Sequence, residues 1–481
     1  MRTDQVHGPG CHAPTRRIPP LHFLYLLMLV WILGRSYSAA QYQHSFWPFM
    51  ILVTTPLVLS GVSVLVWWRA SADLRISWTV SVWTLLLCLV GFNIYLDSRV
   101  DGQETRIQRI LREREKDPAT LPTAVPQGFL TAVTPAGSFS LPDAKAGRFL
   151  PLADVTSTRT VYCREAGDYL VYLSDEKGFN NPHGIWSKGV DIALIGDSYV
   201  HGACVPQGSD IASQLRRRFP KTLNLGRGGN GPLSELAVLS EYAAPVKPKL
   251  VVWFQVDNDL HDLETERNSA ILMHYLAVQD TLGLFQRTAE IDPIVRHYLE
   301  TELKKKAGEG APPEGSSLSR AIQKLVRTLS FSTLRNSLVF PHFSNHDIGL
   351  PSSDEYLNGL EWDLDRQVLA EAKKRVESWG GKMIVVIIPF QKGSGFLNPK
   401  SDAKARVYHD RLATMLRDLD LPYHDLNEDF HRLPNPNTYL ADMRIYYGHD
   451  NERGYVLLAD AVANFIWQFC ETHPAFACGR S

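Results

Sequence analysis

Asp191-Ile-Ala-Leu-Ile-Gly-Asp-Ser198 is the stretch whose reading decides the fold. The apolar run 191–195 makes a short buried strand, and Gly196 breaks it so that the chain turns and delivers Ser198. A serine at the rim of a sheet can act as a nucleophile when a base and oxyanion donors stand near it. A Gly-Asp-Ser turn also forms for conformational reasons alone. Its meaning therefore depends on which residues stand at the ends of the other strands.

Further apolar runs at 223–225, 249–256, 383–389 and 422–426 alternate with helical patterns at about 209–219, 233–245, 361–379, 402–418 and 452–468. Alternation of this kind predicts an α/β fold, a parallel sheet of about five strands with helices on both faces. Ligands of such sheets bind outside the carboxyl ends of the strands. The first strand ends in Gly196-Asp197-Ser198, and the second runs into Asn224-Leu-Gly-Arg-Gly-Gly-Asn-Gly231. The third ends in Asp257-Asn258-Asp259, and Tyr447-Gly-His449-Asp-Asn-Glu452 leads into the last helix. One rim thus collects a nucleophile, glycine N–H groups, a side-chain amide and a general base.

These four blocks together resemble the SGNH (GDSL-type) hydrolases, in members anchored to a membrane with an exported catalytic domain. Ser174-Asp-Glu-Lys-Gly-Phe179, Asn224-Leu-Gly226 and His449-Asp-Asn-Glu-Arg-Gly-Tyr455 extend the similarity, which covers roughly 160–470 apart from an insertion at about 264–350. The resemblance implies an SGNH/flavodoxin-like sheet, Ser198 as nucleophile and His449 as base. It implies an oxyanion hole from the N–H groups of Ser198 and Gly229 and the amide of Asn258; Gly229 fits the family spacing Asn224-x-Gly226-x-x-Gly229, with Gly228 as the alternative. No cofactor and no metal is implied.

The family has an aspartate two or three residues before the histidine, and here Tyr446 and Tyr447 stand there. The site is then a Ser–His dyad or borrows another carboxylate, with Asp442 and Asp450 the nearest in sequence. Loss of the orienting carboxylate can cost as much as about ten-thousandfold in a triad enzyme. The implied chemistry is acyl transfer: a serine esterase acting on O-acyl, foremost O-acetyl, groups of a cell-envelope or extracellular carbohydrate. The alternatives are an O-acetyltransferase of an exopolysaccharide, with a membrane-bound acyl-transfer partner, and a catalytically weak or inactive glycan-binding or assembly protein. A lipase or thioesterase, its acyl site lined by Ile271-Leu-Met-His-Tyr-Leu276, ranks below these. Arg227 in the glycine loop is a candidate contact for an anionic substrate.

The 481 residues carry a net charge of −1, which gives no electrostatic ground for nucleic-acid binding. Uncharged apolar segments at 46–68 and 76–96 are each long enough to cross about 30 Å of hydrocarbon, and a shorter one at 18–36 is a further span or a signal sequence. Arg16, Arg17, Arg69 and Arg75 mark the cytoplasmic side, so two or three helices in 1–98 leave everything after about residue 97 outside the inner (plasma) membrane. Residues 99–150 read as a juxtamembrane helix and linker, and 151–481 as the hydrolase domain. Cys163, Cys204, Cys470 and Cys478 fall in the exported part, where disulfides persist, and Cys470 with Cys478 is a candidate pair. Cys204 reads as structural. No internal repeat, nucleotide-binding glycine fingerprint or zinc-type spacing is present.

Overall fold

The computed structural model describes residues 54–101, 104–124, 151–165, 167–256, 258–310, 358–388, 399–434, 436–439 and 449–473, with Val30, Leu325 and Thr328. The chain forms two compact units, Met1–Gln103 with Glu314–Leu350, and Glu104–Pro313 with Pro351–Ser481.

In the first unit, α1 (Thr55–Arg69) and α2 (Ala72–Asp101) are joined by the Trp78 Nε1–H, which donates to Ser63 Oγ at 2.9 Å. Leu57, Leu65, Trp68, Ile76 and Leu87 are exposed, so apolar side chains point outward where a soluble helix would carry charge. Ala72–Tyr95 is long and apolar enough to cross a membrane; Leu57–Arg69 is apolar but shorter. The segment predicted at 18–36 lies outside the described residues, Val30 excepted, and so does the start of the one at 46–68.

The second unit is built on a five-stranded sheet of β4 (Ile192–Ile195), β5 (Thr222–Asn224), β6 (Leu250–Gln255), β7 (Lys382–Ile387) and β8 (Tyr423–Asp425). Every pairing is parallel and the order is β5-β4-β6-β7-β8. All residues of β4, β5 and β6 are buried, because a parallel sheet is covered on both faces and needs apolar side chains on each. The period of two divides them. Ala193, Ile195, Val251, Trp253, Val385 and Ile387 pack with α6 (Pro232–Val238), α8 (Ala270–Ala277) and α10 (Trp362–Ser378). Leu194, Val252, Phe254, Ile384 and Val386 face α5 (Ile211–Leu215) and α13 (Glu452–Thr472). Ile271, Leu272 and Tyr275 of α8 are fully part of this core, so they do not line an acyl site.

A second, three-stranded sheet holds β1 (Leu121–Pro122), β2 (Arg159–Val161) and β3 (Val171–Leu173). The stretch predicted as a linker therefore supplies a strand, parallel to β2, while β2 and β3 form an antiparallel hairpin. Ile110 of α3 (Arg106–Arg114) packs with Val161 of β2 and Leu303 of α9 (Thr288–Gly310).

Candidate active site

Strand order reverses between β4 and β6, the place where an open α/β sheet leaves a crevice. Ser198 leaves the end of β4 and Asn258 the end of β6, so they flank that crevice. Asp197 caps α4 (Ser198–His201) by accepting the Tyr199 N–H at 2.9 Å, which fixes the turn that presents the serine. The same carboxylate gathers its neighbours: Oδ2 accepts Ser198 Oγ at 3.2 Å and Asn258 Nδ2 at 3.5 Å. Asn258 also donates to Asp262 at 2.9 Å. Burial pushes the Asp197 carboxyl up, opposed by the hydrogen bonds it accepts and by His449.

His449 stands two residues before Asn451, whose side chain caps α13 by accepting the N–H groups of Arg453 and Gly454. That cap sets where the helix begins and hence where the imidazole lies. His449 Nε2 is 2.7 Å from Ser198 Oγ. Nδ1 is bonded not to a nearby aspartate but to Glu165 Oε1, at 2.5 Å and 284 residues away in sequence. Glu165 Oε2 accepts the backbone N–H of His449 as well, at 2.6 Å. The two side chains are 18% and 11% exposed, so water screens the pair little. Burial alone would lower the His449 pKa, but the Glu165 hydrogen bond and the charges of Glu165, Asp197 and Asp450 outweigh it and leave it raised.

Glu165 lies in the turn of the β2–β3 hairpin and was not a candidate in the sequence. The only signal for it was the need for some carboxylate behind the base. Asp450, one of the two proposed substitutes, is buried, and its charge adds to that of Glu165, the residue bonded to Nδ1, in raising the His449 pKa. Asp442 lies outside the described residues.

The glycine loop lies beside the serine. Gly229 has φ +84°, a conformation that other residues avoid. Gly228 donates its N–H to His201 Nδ1 at 3.1 Å, so of the two glycines Gly229 can offer an N–H without breaking that bond. His201 Nε2 bonds Tyr172 Oη at 2.8 Å, and Tyr172 donates to Asp154 at 2.5 Å. Arg227 completes this network. It is 2% exposed and pairs with Asp154 at 3.1 Å, so it braces the loop from behind and does not face a substrate. The candidate contact is corrected: a charge in this loop can be buried because Asp154 is buried with it. Burial raises the Asp154 pKa and Arg227, His201 and its hydrogen bonds bring it below the ordinary value.

Cys204 is bonded to Cys163, a pairing not foreseen from the spacing. Cys470 is disulfide-bonded too, and Cys478 lies outside the described residues. Among the described residues, Glu165, Cys204 and His449 bring their ligand-type atoms within 4.8 Å of one another. The disulfide removes the thiolate a metal would take, and the other two are bonded to each other.

No protein-family model and no curated protein sequence matches the chain. Among solved structures it is similar to a lipase/acylhydrolase from Enterococcus faecalis, 13% identical, at a TM-score of 0.29 over 58% of this chain and 95% of that one. It is similar also to a catalytic mutant of Axe2, an acetylxylan esterase from Geobacillus stearothermophilus, at 13% identity and a TM-score of 0.28 over the same shares.

Proposed function

We propose that the chain is an SGNH-type serine esterase working through a Ser198–His449–Glu165 triad. The observation that supports this is the unbroken hydrogen-bonded line from Ser198 Oγ through both imidazole nitrogens to the Glu165 carboxylate. With Glu165 accepting at Nδ1, the neutral imidazole carries its proton there and presents Nε2 as a base. Ser198 Oγ attacks the ester carbonyl as its proton passes to Nε2. The N–H groups of Ser198 and Gly229 and the Asn258 amide receive the oxyanion, a contribution worth about a hundred- to a thousandfold per donor. His449 then protonates the leaving alcohol, and water drawn by the same base releases the acid.

The substrate we propose is an O-acyl, foremost O-acetyl, group on a cell-envelope or extracellular carbohydrate. Two disulfide-bonded sites in the unit and an apolar helix long enough to span a bilayer favour a membrane-anchored enzyme facing an oxidising compartment. Arg69 at the end of α1 and Arg75 in the first turn of α2 favour the cytoplasm for the turn between the two helices. The test is the full chain in detergent micelles with p-nitrophenyl acetate, longer-chain p-nitrophenyl esters and an acetylated oligosaccharide. Acetyl release that disappears in Ser198→Ala, with labelling of Ser198 by a fluorophosphonate, supports the reading. Absence of both rejects it, and acetyl delivered to a sugar hydroxyl in preference to water would make the enzyme a transferase.

A further inference from the structure

Tyr162, Cys163 and Glu165 come within four residues of the end of β2, and each reaches a different part of the site. The Tyr162 ring stacks on His201 at 4.5 Å between centroids, and its hydroxyl meets Gly228 so closely that a Cβ there would lie 1.7 Å from Oη. Cys163 is bonded to Cys204, six positions after Ser198. Glu165 holds His449 at two atoms. One short segment therefore touches the oxyanion loop, the nucleophile's segment and the base.

The hairpin's backbone bonds run as far as Cys163, whose carbonyl accepts the Leu170 N–H at 2.8 Å, and Glu165 lies two residues beyond them. The β2–β3 ladder is three residue pairs long. Cys204 itself has φ +62°, a left-handed conformation that a cysteine keeps only where its surroundings impose it. Glu165 is two residues from Cys163, and an extended chain advances at most about 3.6 Å per residue. A tethered Cys163 thus confines the carboxylate to the neighbourhood of His449, which raises its local concentration there.

We propose that the Cys163–Cys204 disulfide is a positioning element of the triad, holding the Glu165 hairpin against the Ser198 segment so that the carboxylate stands behind His449 only in the oxidised protein. This rests on the esterase reading of Ser198, His449 and Glu165. Cys163 is partly exposed, which admits a reductant, and Cys204 is 7% exposed. A dithiol opens the bond by thiolate attack on one sulfur; its second thiol displaces the mixed disulfide. The two cysteines gain two electrons and two protons, and the dithiol leaves as a cyclic disulfide.

The experiment measures p-nitrophenyl acetate hydrolysis by the full chain in detergent, oxidised, reduced with dithiothreitol, and reoxidised with oxidised glutathione. Reduction should lower kcat at least about tenfold, bounded by the roughly ten-thousandfold loss seen when a triad carboxylate is neutralised, and reoxidation should restore it. The groups facing His449 are Glu165, Asp197, Asp450, Ser198 and the Tyr199 ring. With Glu165 released, the acid limb of kcat/KM should move to lower pH, a shift that mere loosening of the fold does not produce. Glu165→Gln should be slow already and nearly indifferent to the dithiol, because both changes remove the same interaction. Cys163→Ser should behave as the reduced enzyme, and Cys470→Ser should stay active and dithiol-sensitive. Should Cys163→Ser fail to fold, the reduction and reoxidation of folded protein decides. Full turnover with an unmoved acid limb after verified reduction overturns the proposal and leaves the triad standing; so does an equal dithiol effect in Glu165→Gln. An oxidised chain with no Ser198-dependent hydrolysis overturns the esterase reading itself.

Discussion

Glu165 grips His449 at two points, Oε1 on the imidazole Nδ1 at 2.5 Å and Oε2 on the backbone N–H at 2.6 Å. A carboxylate that binds ring and backbone together fixes the imidazole's tautomer and its rotation about χ1 and χ2. The glutamate does from another sheet what a nearby aspartate does from the same loop.

Glu165→Gln should cut kcat by about a hundred- to ten-thousandfold while changing KM little, since the amide keeps the shape and loses the charge that stabilises the imidazolium. Steady-state kinetics on the full chain checks this. Turnover within threefold of the parent would mean that Glu165 is only a structural partner of His449.

The acid limb of kcat/KM should lie above the ordinary imidazole range. His449 acts as a base only when neutral, and its pKa is raised by Glu165, Asp197 and Asp450 against the opposing effect of burial. Activity is therefore lost as pH falls through a value above 6.5. A pH–rate profile with its acid limb at or below 6 contradicts this.

Asn258→Ala should lower kcat about a hundred- to a thousandfold with the fold intact, as removal of one oxyanion donor does. Its amide donates to Asp197 and Asp262 at the rim, outside the two apolar clusters of the sheet. Circular dichroism and a melting curve beside the rate measurement separate the two effects. A large drop in melting temperature would reassign Asn258 to structure.

Arg227→Leu or Asp154→Asn should each destabilise the unit by about 3–5 kcal/mol, because each leaves its partner's charge buried and unpaired. The double variant should lose less than the sum of the two. Additive losses in thermal or denaturant unfolding would show that the pair is not coupled.

His201 gives a pH signature in stability. Burial holds its pKa down at about 3, against 6.5 in the unfolded chain. The unfolded chain then binds a proton that the folded one refuses, so stability is complete above 6.5 and falls as pH drops toward 3, by at most about 1.4 kcal/mol per pH unit. His201→Gln, which keeps a polar group for Gly228, lacks this penalty. Its deficit in melting temperature relative to the parent should be smaller at pH 4 than at pH 7, and a constant gap would refute the assignment.

What the sequence determined on its own was whatever local pattern encodes. The runs at 191–195, 249–256 and 383–389 are apolar on both faces, and only a covered parallel sheet tolerates that, so the five strands appear within a residue or two of their expected places. Chain order along such a sheet then put Ser198, the glycine loop, Asn258 and His449 on one rim before any distance was known. Glu165, the Cys163–Cys204 bond and the burial of Arg227 were decided by tertiary structure alone. Each joins residues far apart in sequence, and no spacing rule records which hairpin a β2–β3 ladder will carry to the mouth of another sheet. The partner of an imidazole is chosen by approach in space, and the carboxylate bonded to His449 Nδ1 comes from 284 residues away.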